Sequence, residues 1–262
     1  MSTSPIGIFD SGIGGTSIWK ALNTLLPGES TLYLADSKHA PYGTKSKDEI
    51  TAFSIKNTEL LIAKGCKLVV VACNTATTNA IDYLREHYSI PFIGIEPAIK
   101  PAAIQTQTKV IGILATKGTL SSILFHKTSD LYAEGIAVIE QVGEGLVSLI
   151  EEGNIKGKAV KALLKTYLLP MMAKNIDHLV LGCTHYPYLI PEMRKLLPPS
   201  IKIIDSGAAV ARQTKVVLGK NKLLNTSDSR GTHHFYSNLD EKILIDFLSE
   251  IGVEVHIKYL DF

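Results

Sequence analysis

Two cysteines sit in matched surroundings: Leu68-Val69-Val70-Val71-Ala72-Cys73-Asn74-Thr75 aligns with His178-Leu179-Val180-Leu181-Gly182-Cys183-Thr184-His185. Each closes an apolar run of strand character and opens a polar segment that leads into a helix. Each thiol therefore lies beside helix N-terminal amides, whose dipole and donors favour thiolate over thiol. Two such groups suit inversion at an acidic carbon, where one removes a proton from one face and the other supplies a proton to the opposite face. A single base would tend to return the original enantiomer. Cys66, within Lys64-Gly65-Cys66-Lys67 at the end of a helical stretch, lacks that setting and reads as a small buried hydrophobe.

Other segments carry polar groups suited to a small charged ligand. Asp10, Ser11 and Gly12 end the first strand, and Gly14-Gly15 turns into a helix, so backbone amides can approach an anion closely. Asp10 is then free to receive an ammonium or orient a thiol, or else it caps the helix. Pro41-Tyr42-Gly43 is a rigid turn whose amides, together with Tyr42, can hold a carboxylate. His185, two residues beyond Cys183, can pass protons near neutral pH. Two competing readings are weaker. Gly12-Ile13-Gly14-Gly15-Thr16-Ser17, with Asp36 ending the next strand, approaches a dinucleotide-binding fingerprint, but Ser17 takes the third glycine position. Cys183-Thr184-His185 is half of a zinc site without a second Cys/His pair at ligand spacing, and His233-His234 reads as a strand or loop pair.

The elements that must position these groups alternate along the chain. β-branched runs at 6–9, 31–35, 68–72, 92–95, 110–114, 136–139, 179–181 and 201–204 read as buried parallel strands. Helical spacing appears at 14–25, 50–64, 142–152, 158–172 and 208–218. This alternation predicts an α/β fold with mainly parallel sheets. Ile6-Gly7-Ile8-Phe9-Asp10-Ser11-Gly12 also resembles Val110-Ile111-Gly112-Ile113-Leu114-Ala115-Thr116, and a cysteine run follows each at similar distance. A duplicated half-unit is the expectation. If a pseudo-twofold axis relates the halves, their strand ends face each other across a cleft, where open α/β sheets place ligands. The polar stretch 219–232 reads as a flexible surface connection, followed by strands at 233–237 and 253–259 flanking a helix at 239–251. That tail is expected to complete the first half, giving a first domain of 1–97 plus 207–262 and a second of 98–206.

Composition limits the partners. The chain has 262 residues, 45% hydrophobic and 20% charged, enough for an ordinary soluble core, and its net charge of +2 suggests neither nucleic acid nor an anionic membrane. A small molecule is the expected partner. Residues 1–5 lack a secretory pattern, no apolar run is long enough to span a bilayer, and three cysteines are an odd number, so reduced thiols and a cytoplasmic location are expected.

Taken together, Asp10-Ser11-Gly12-Ile13-Gly14-Gly15, Pro41-Tyr42-Gly43, Ala72-Cys73-Asn74-Thr75-Ala76 and Gly182-Cys183-Thr184-His185-Tyr186-Pro187 resemble the glutamate racemase family in order and approximate spacing over nearly the whole chain. The resemblance implies two similar α/β domains related by pseudo-twofold symmetry with the active site between them. It implies interconversion of L- and D-glutamate for peptidoglycan synthesis, with no pyridoxal phosphate, no other cofactor and no metal. By match, Cys73 would deprotonate D-glutamate and Cys183 would deprotonate L-glutamate. Asp10 and His185 would assist the thiols and contact substrate, while Ser11, Tyr42, Gly43, Asn74, Thr75, Thr116, Thr119 and Thr184 would bind it. A further acid is expected near 149–153, with Glu151 preferred to Glu152, although Val142-Gly143-Glu144-Gly145 departs from the family's pattern just before it. A homodimer is also implied. The nearest enzymatic alternative is a racemase of aspartate or a related acid. The non-enzyme alternative is a two-lobed amino-acid-binding protein, which would predict export and would not need reactive thiols.

Overall fold

In the computed structural model, which describes residues 2–227, 229–249 and 251–262, the β-branched runs form two sheets. β1 (Ile6–Asp10), β2 (Thr31–Ala35), β3 (Leu68–Val71) and β4 (Phe92–Gly94) belong to the first, β5 (Val110–Ala115), β6 (Ala137–Val142), β7 (His178–Gly182) and β8 (Lys202–Ile204) to the second. The chain then returns to the first sheet with β9 (His233–Ser237) and β10 (His256–Tyr259). Every pairing is parallel. β1, β2, β3 and β7 are buried along their whole lengths, as strands covered on both faces must be.

The strand orders are β10-β9-β2-β1-β3-β4 and β6-β5-β7-β8. Without the two late strands, both halves run second, first, third, fourth, which is the repeat that the sequence comparison suggested. In the first sheet Phe9 lies opposite Val71, and in the second Ala115 lies opposite Gly182. The registers place Asp10 at the end of β1 and Cys73 just beyond the adjacent end of β3 in one sheet, and Thr116 and Cys183 just beyond the corresponding ends of β5 and β7 in the other.

Helices cover both faces: α1 (Thr16–Leu25), α2 (Lys47–Ala63), α3 (Asn74–His87), α4 (Ile99–Gln105), α5 (Lys117–Leu120), α6 (Ile123–Tyr132), α7 (Leu146–Glu151), α8 (Lys158–Ala173), α9 (Ile190–Met193), α10 (Gly207–Lys220) and α11 (Lys242–Leu248). α2 starts earlier than the apolar spacing implies because Ser46 and Glu49 form a reciprocal capping box. The helix expected over 142–152 begins only at Leu146. Val142 still pairs with Ala115 in β6, and Gly145 takes a left-handed φ of 77° that a continuous helix does not allow. The helix expected over 239–251 is α11 alone, and the strand expected from 253 begins at His256, after Gly252 turns with φ 67°.

The stretch 219–232 is less free than its composition implies. Asn225 N donates to Glu29 Oε1 at 2.7 Å, its Nδ2 donates to Gly28 O at 2.7 Å, and the other Glu29 oxygen pairs with Lys67 Nζ at 2.6 Å in a buried contact. A buried carboxylate requires such partners, and satisfying Glu29 ties the connection to the turn before β2. β9 is anchored by Phe235, which meets Trp19 edge-on at 4.9 Å and stacks on Tyr33 at 5.2 Å. The same tail reaches the second half, because Phe247 on α11 meets Tyr188 edge-on at 4.5 Å. Cys66 sits in the core on the other face of the first sheet, beside Leu61 and Val69. Burial pushes its thiol up to about 12, leaving it protonated and unreactive. No helix among the described residues is long and apolar enough to cross a membrane.

Candidate active site

Cys73 is the N-cap of α3. Its sulfur accepts from Ala76 N at 3.4 Å and its thiol donates to Ser11 Oγ at 3.7 Å. The helix terminus is thus where the sequence put it, but the expected thiolate is not. Burial, followed by the negative charge of Asp10, holds the Cys73 pKa well above the ordinary thiol value and outweighs the amide. Cys73 rests as a thiol, a proton donor. Asp10 lies behind it, fully buried, with Oδ2 accepting from Gly15 N at 2.7 Å and the Thr184 hydroxyl 3.4 Å from Oδ1. Burial raises Asp10 to about 6 despite the opposing charge of His185. Asp10 therefore stands close to the thiol, and it holds the amide of Gly15, the residue before α1, without capping an N–H of the helix itself.

On the other side, Cys183 Sγ lies 3.7 Å from His185 Nδ1, and His185 Nε2 lies 2.5 Å from Glu151 Oε1. Glu151 Oε1 also accepts from Ile13 N at 2.7 Å, and Oε2 accepts from Ser37 Oγ at 3.1 Å. Burial opposes charge on His185, but hydrogen bonds to Cys183 and Glu151 and their negative charge prevail, so its pKa stands well above that of free imidazole. The result is a sulfur, imidazolium, carboxylate series. Its acid is Glu151; Glu152 points outward to Asn154. The close fit also explains two glycines, since a Cβ at Gly12 would run into the Glu151 carboxylate and one at Gly14 into the His185 ring.

Both thiols line one cavity of about 10 Å³, room for about one water. Ser11, Tyr42, Gly43, Asn74, Thr75, Thr116, Thr184 and His185 share its wall with them. Asp10, Glu151 and Thr119 are not part of that lining; each stands behind a residue that is. The Thr75 hydroxyl is 2.8 Å from that of Thr116 and 3.3 Å from that of Thr119, and the latter two are 3.0 Å apart. This makes a cluster of adaptable donors drawn from both halves. Asn74 Oδ1 is buried and has no protein partner, an acceptor with unused capacity.

Tyr42 enters differently from its expected role. Its hydroxyl donates to Asp36 and accepts from Asn57 Nδ2 at 3.2 Å, so the turn presents its ring and backbone, not its phenol, to the cavity. Val147 and Ser37 carry no signal in the sequence, and Pro41 carries one only as part of its turn. Val147 lines the cavity from α7, Pro41 lines it beside Tyr42, and Ser37 holds Glu151. Asp36 is buried and its carboxylate already accepts from His39, Tyr42 and Asn238, so it is not presented to a ribose as the dinucleotide reading requires. Among the described residues no group of three or more His, Cys, Asp or Glu is placed to hold a metal.

Known proteins resemble this chain over most of its length. Residues 6–214 match the Asp/Glu/Hydantoin racemase family model. The glutamate racemase of Ectopseudomonas mendocina is 47% identical over 237 residues, covering 90% of each chain. Among solved structures, a glutamate racemase of Bacillus anthracis superposes with a TM-score of 0.87 at 30% identity, covering 100% of this chain and 99% of its own. That of Francisella tularensis, in complex with D-glutamate, gives 0.85 at 32% identity, covering 99% and 98%.

Proposed function

Because the chain belongs to the Asp/Glu/hydantoin racemase family, and is an isomerase on that ground, we propose that it interconverts L- and D-glutamate by two-thiol proton transfer without a cofactor. The observation that carries this reading is that Cys73 and Cys183, from matching strand ends of the two sheets, line one cavity. In the L-to-D direction Cys183 takes the α-proton as thiolate, and the electron pair passes into the substrate α-carboxylate. Cys73 then gives its proton to the opposite face and is left as thiolate. The reverse direction exchanges the roles. His185 serves Cys183, steadied by Glu151, and Asp10 serves Cys73.

The Thr75 and Thr116 hydroxyls, oriented from behind by that of Thr119, suit carboxylate recognition together with the amides at Ser11 and Gly43, and the unpartnered Asn74 Oδ1 suits the ammonium. A cavity of about 10 Å³ is too small for an amino acid, so the division into 1–97 plus 207–262 and 98–206 belongs to this reading as two units that part to admit substrate. The enzyme works in the cytoplasm as a homodimer, supplying D-glutamate for peptidoglycan.

Incubating the protein with pure L-glutamate in deuterated buffer, without additives, is expected to abolish optical rotation and place deuterium at the α-carbon. Retained rotation and an undeuterated α-carbon would exclude the assignment. Turnover of aspartate at a higher kcat/KM than glutamate would transfer the activity to the shorter acid. Cys66→Ser is expected to keep racemisation within ~2-fold of the parent while lowering stability by about 1 kcal/mol, since it changes only core packing. Kinetics and thermal unfolding of that variant check both halves of the statement.

A further inference from the structure

Asn238 follows β9, is 2% exposed, and has its side-chain amide engaged on both sides. Nδ2 donates to Asp36 Oδ1 at 2.5 Å and to Phe262 O at 3.2 Å, while Oδ1 accepts from Lys38 N at 2.9 Å. Asp36, itself 1% exposed, accepts on the same oxygen from His39 Nδ1 at 2.5 Å and on the other from the Tyr42 hydroxyl. Tyr42 and Gly43 then form part of the cavity wall. An amide, a carboxylate and a phenol thus connect the late strand β9 to the turn that faces the substrate.

Buried networks of this kind fix rotamers when every member is satisfied and become costly when one is removed. Without the Asn238 amide, Asp36 loses a donor, and both Lys38 N–H and Phe262 C=O lose their partner. The groups that set the position of 37–43 would go together, although neither thiol lies on that turn.

We propose that Asn238 is a positioning residue for substrate binding, acting through Asp36 and Tyr42 to hold the Tyr42–Gly43 wall in place. The inference rests on the racemase reading and adds a residue from the tail segment to its binding site. It assigns Asn238 an effect on KM, because the turn holds substrate while proton transfer belongs to the thiols.

The test compares the parent with Asn238→Ala, Tyr42→Phe and the double variant, measuring L-glutamate racemisation and thermal unfolding. Each single change is expected to raise KM ~10-fold with kcat within ~3-fold, and the double variant to lie within ~3-fold of either single, because all three break one chain. If Asn238→Ala does not fold, Asn238→Asp serves. It keeps the shape and the acceptor for Lys38 N but removes the donors and faces Asp36 with a second carboxylate, so a KM rise of at least ~10-fold is again expected. A KM within ~2-fold of the parent in a folded, active variant, or KM effects that multiply in the double variant, would overturn the inference. An inactive parent would instead defeat the racemase reading, and this inference with it.

Discussion

Cys73→Ser and Cys183→Ser are each expected to lower racemisation by ~10³-fold or more, with the fold intact. General acid–base groups contribute on the order of 10² to 10⁴, and a hydroxyl is a far poorer base than a thiolate in the same place. The burial that keeps Cys73 protonated would penalise an alkoxide still more. The two losses should differ in kind. Cys73→Ser retains the group assigned to the L face, so slow deuterium uptake into L-glutamate without inversion is expected, whereas Cys183→Ser should give the same behaviour with D-glutamate. Nuclear magnetic resonance of each enantiomer in deuterated buffer reads both. Inversion persisting in either variant near the parent rate would show that one base suffices.

Asp10→Asn is expected to cost ~10²-fold in activity and at the same time to stabilise the protein. Burial lifts the Asp10 pKa from 3.8 to about 6 in the folded chain, so the folded state holds this proton more tightly than the unfolded one. Stability therefore falls as pH rises from 3.8 to about 6, by roughly 3 kcal/mol at about 1.4 kcal/mol per unit, and the whole deficit is present above pH 6. Asparagine carries no charge and can still accept from Gly15 N while its amide faces the Thr184 hydroxyl. Its thermal midpoint should exceed the parent's by several degrees at pH 8 and match it at pH 3.5. Calorimetry at the two values checks this. A gain independent of pH would show that ionised Asp10 is not the source.

The sequence made some of this legible and not the rest, for physical reasons. The strands and their repeat were readable because β1, β3, β5 and β7 are short apolar runs buried almost throughout, as strands covered on both faces must be. The cysteines stood out because their neighbours repeat. The end of β6 was misread because Gly145 interrupts a run of helical spacing, and spacing carries no information on φ. The thiolate expectation for Cys73 failed because local sequence reports a helix terminus but not the burial that opposes it. Asp36 was noticed for the wrong partner, and Asn238 not at all. Their link spans about 200 positions, and no local pattern encodes it.

The two thiols are supported by unlike groups: Ser11, an α3 amide and Asp10 around Cys73, and the His185–Glu151 pair beside Cys183. Enantiomers have equal free energy in water, so for the proposed reaction the Haldane relation forces kcat/KM to be identical from L and from D in the parent and in every variant. Damage to either side must therefore fall equally on both directions when substrate is scarce. The unequal supports can express themselves only at saturation, as kcat and KM that rise or fall together for one enantiomer more than for the other.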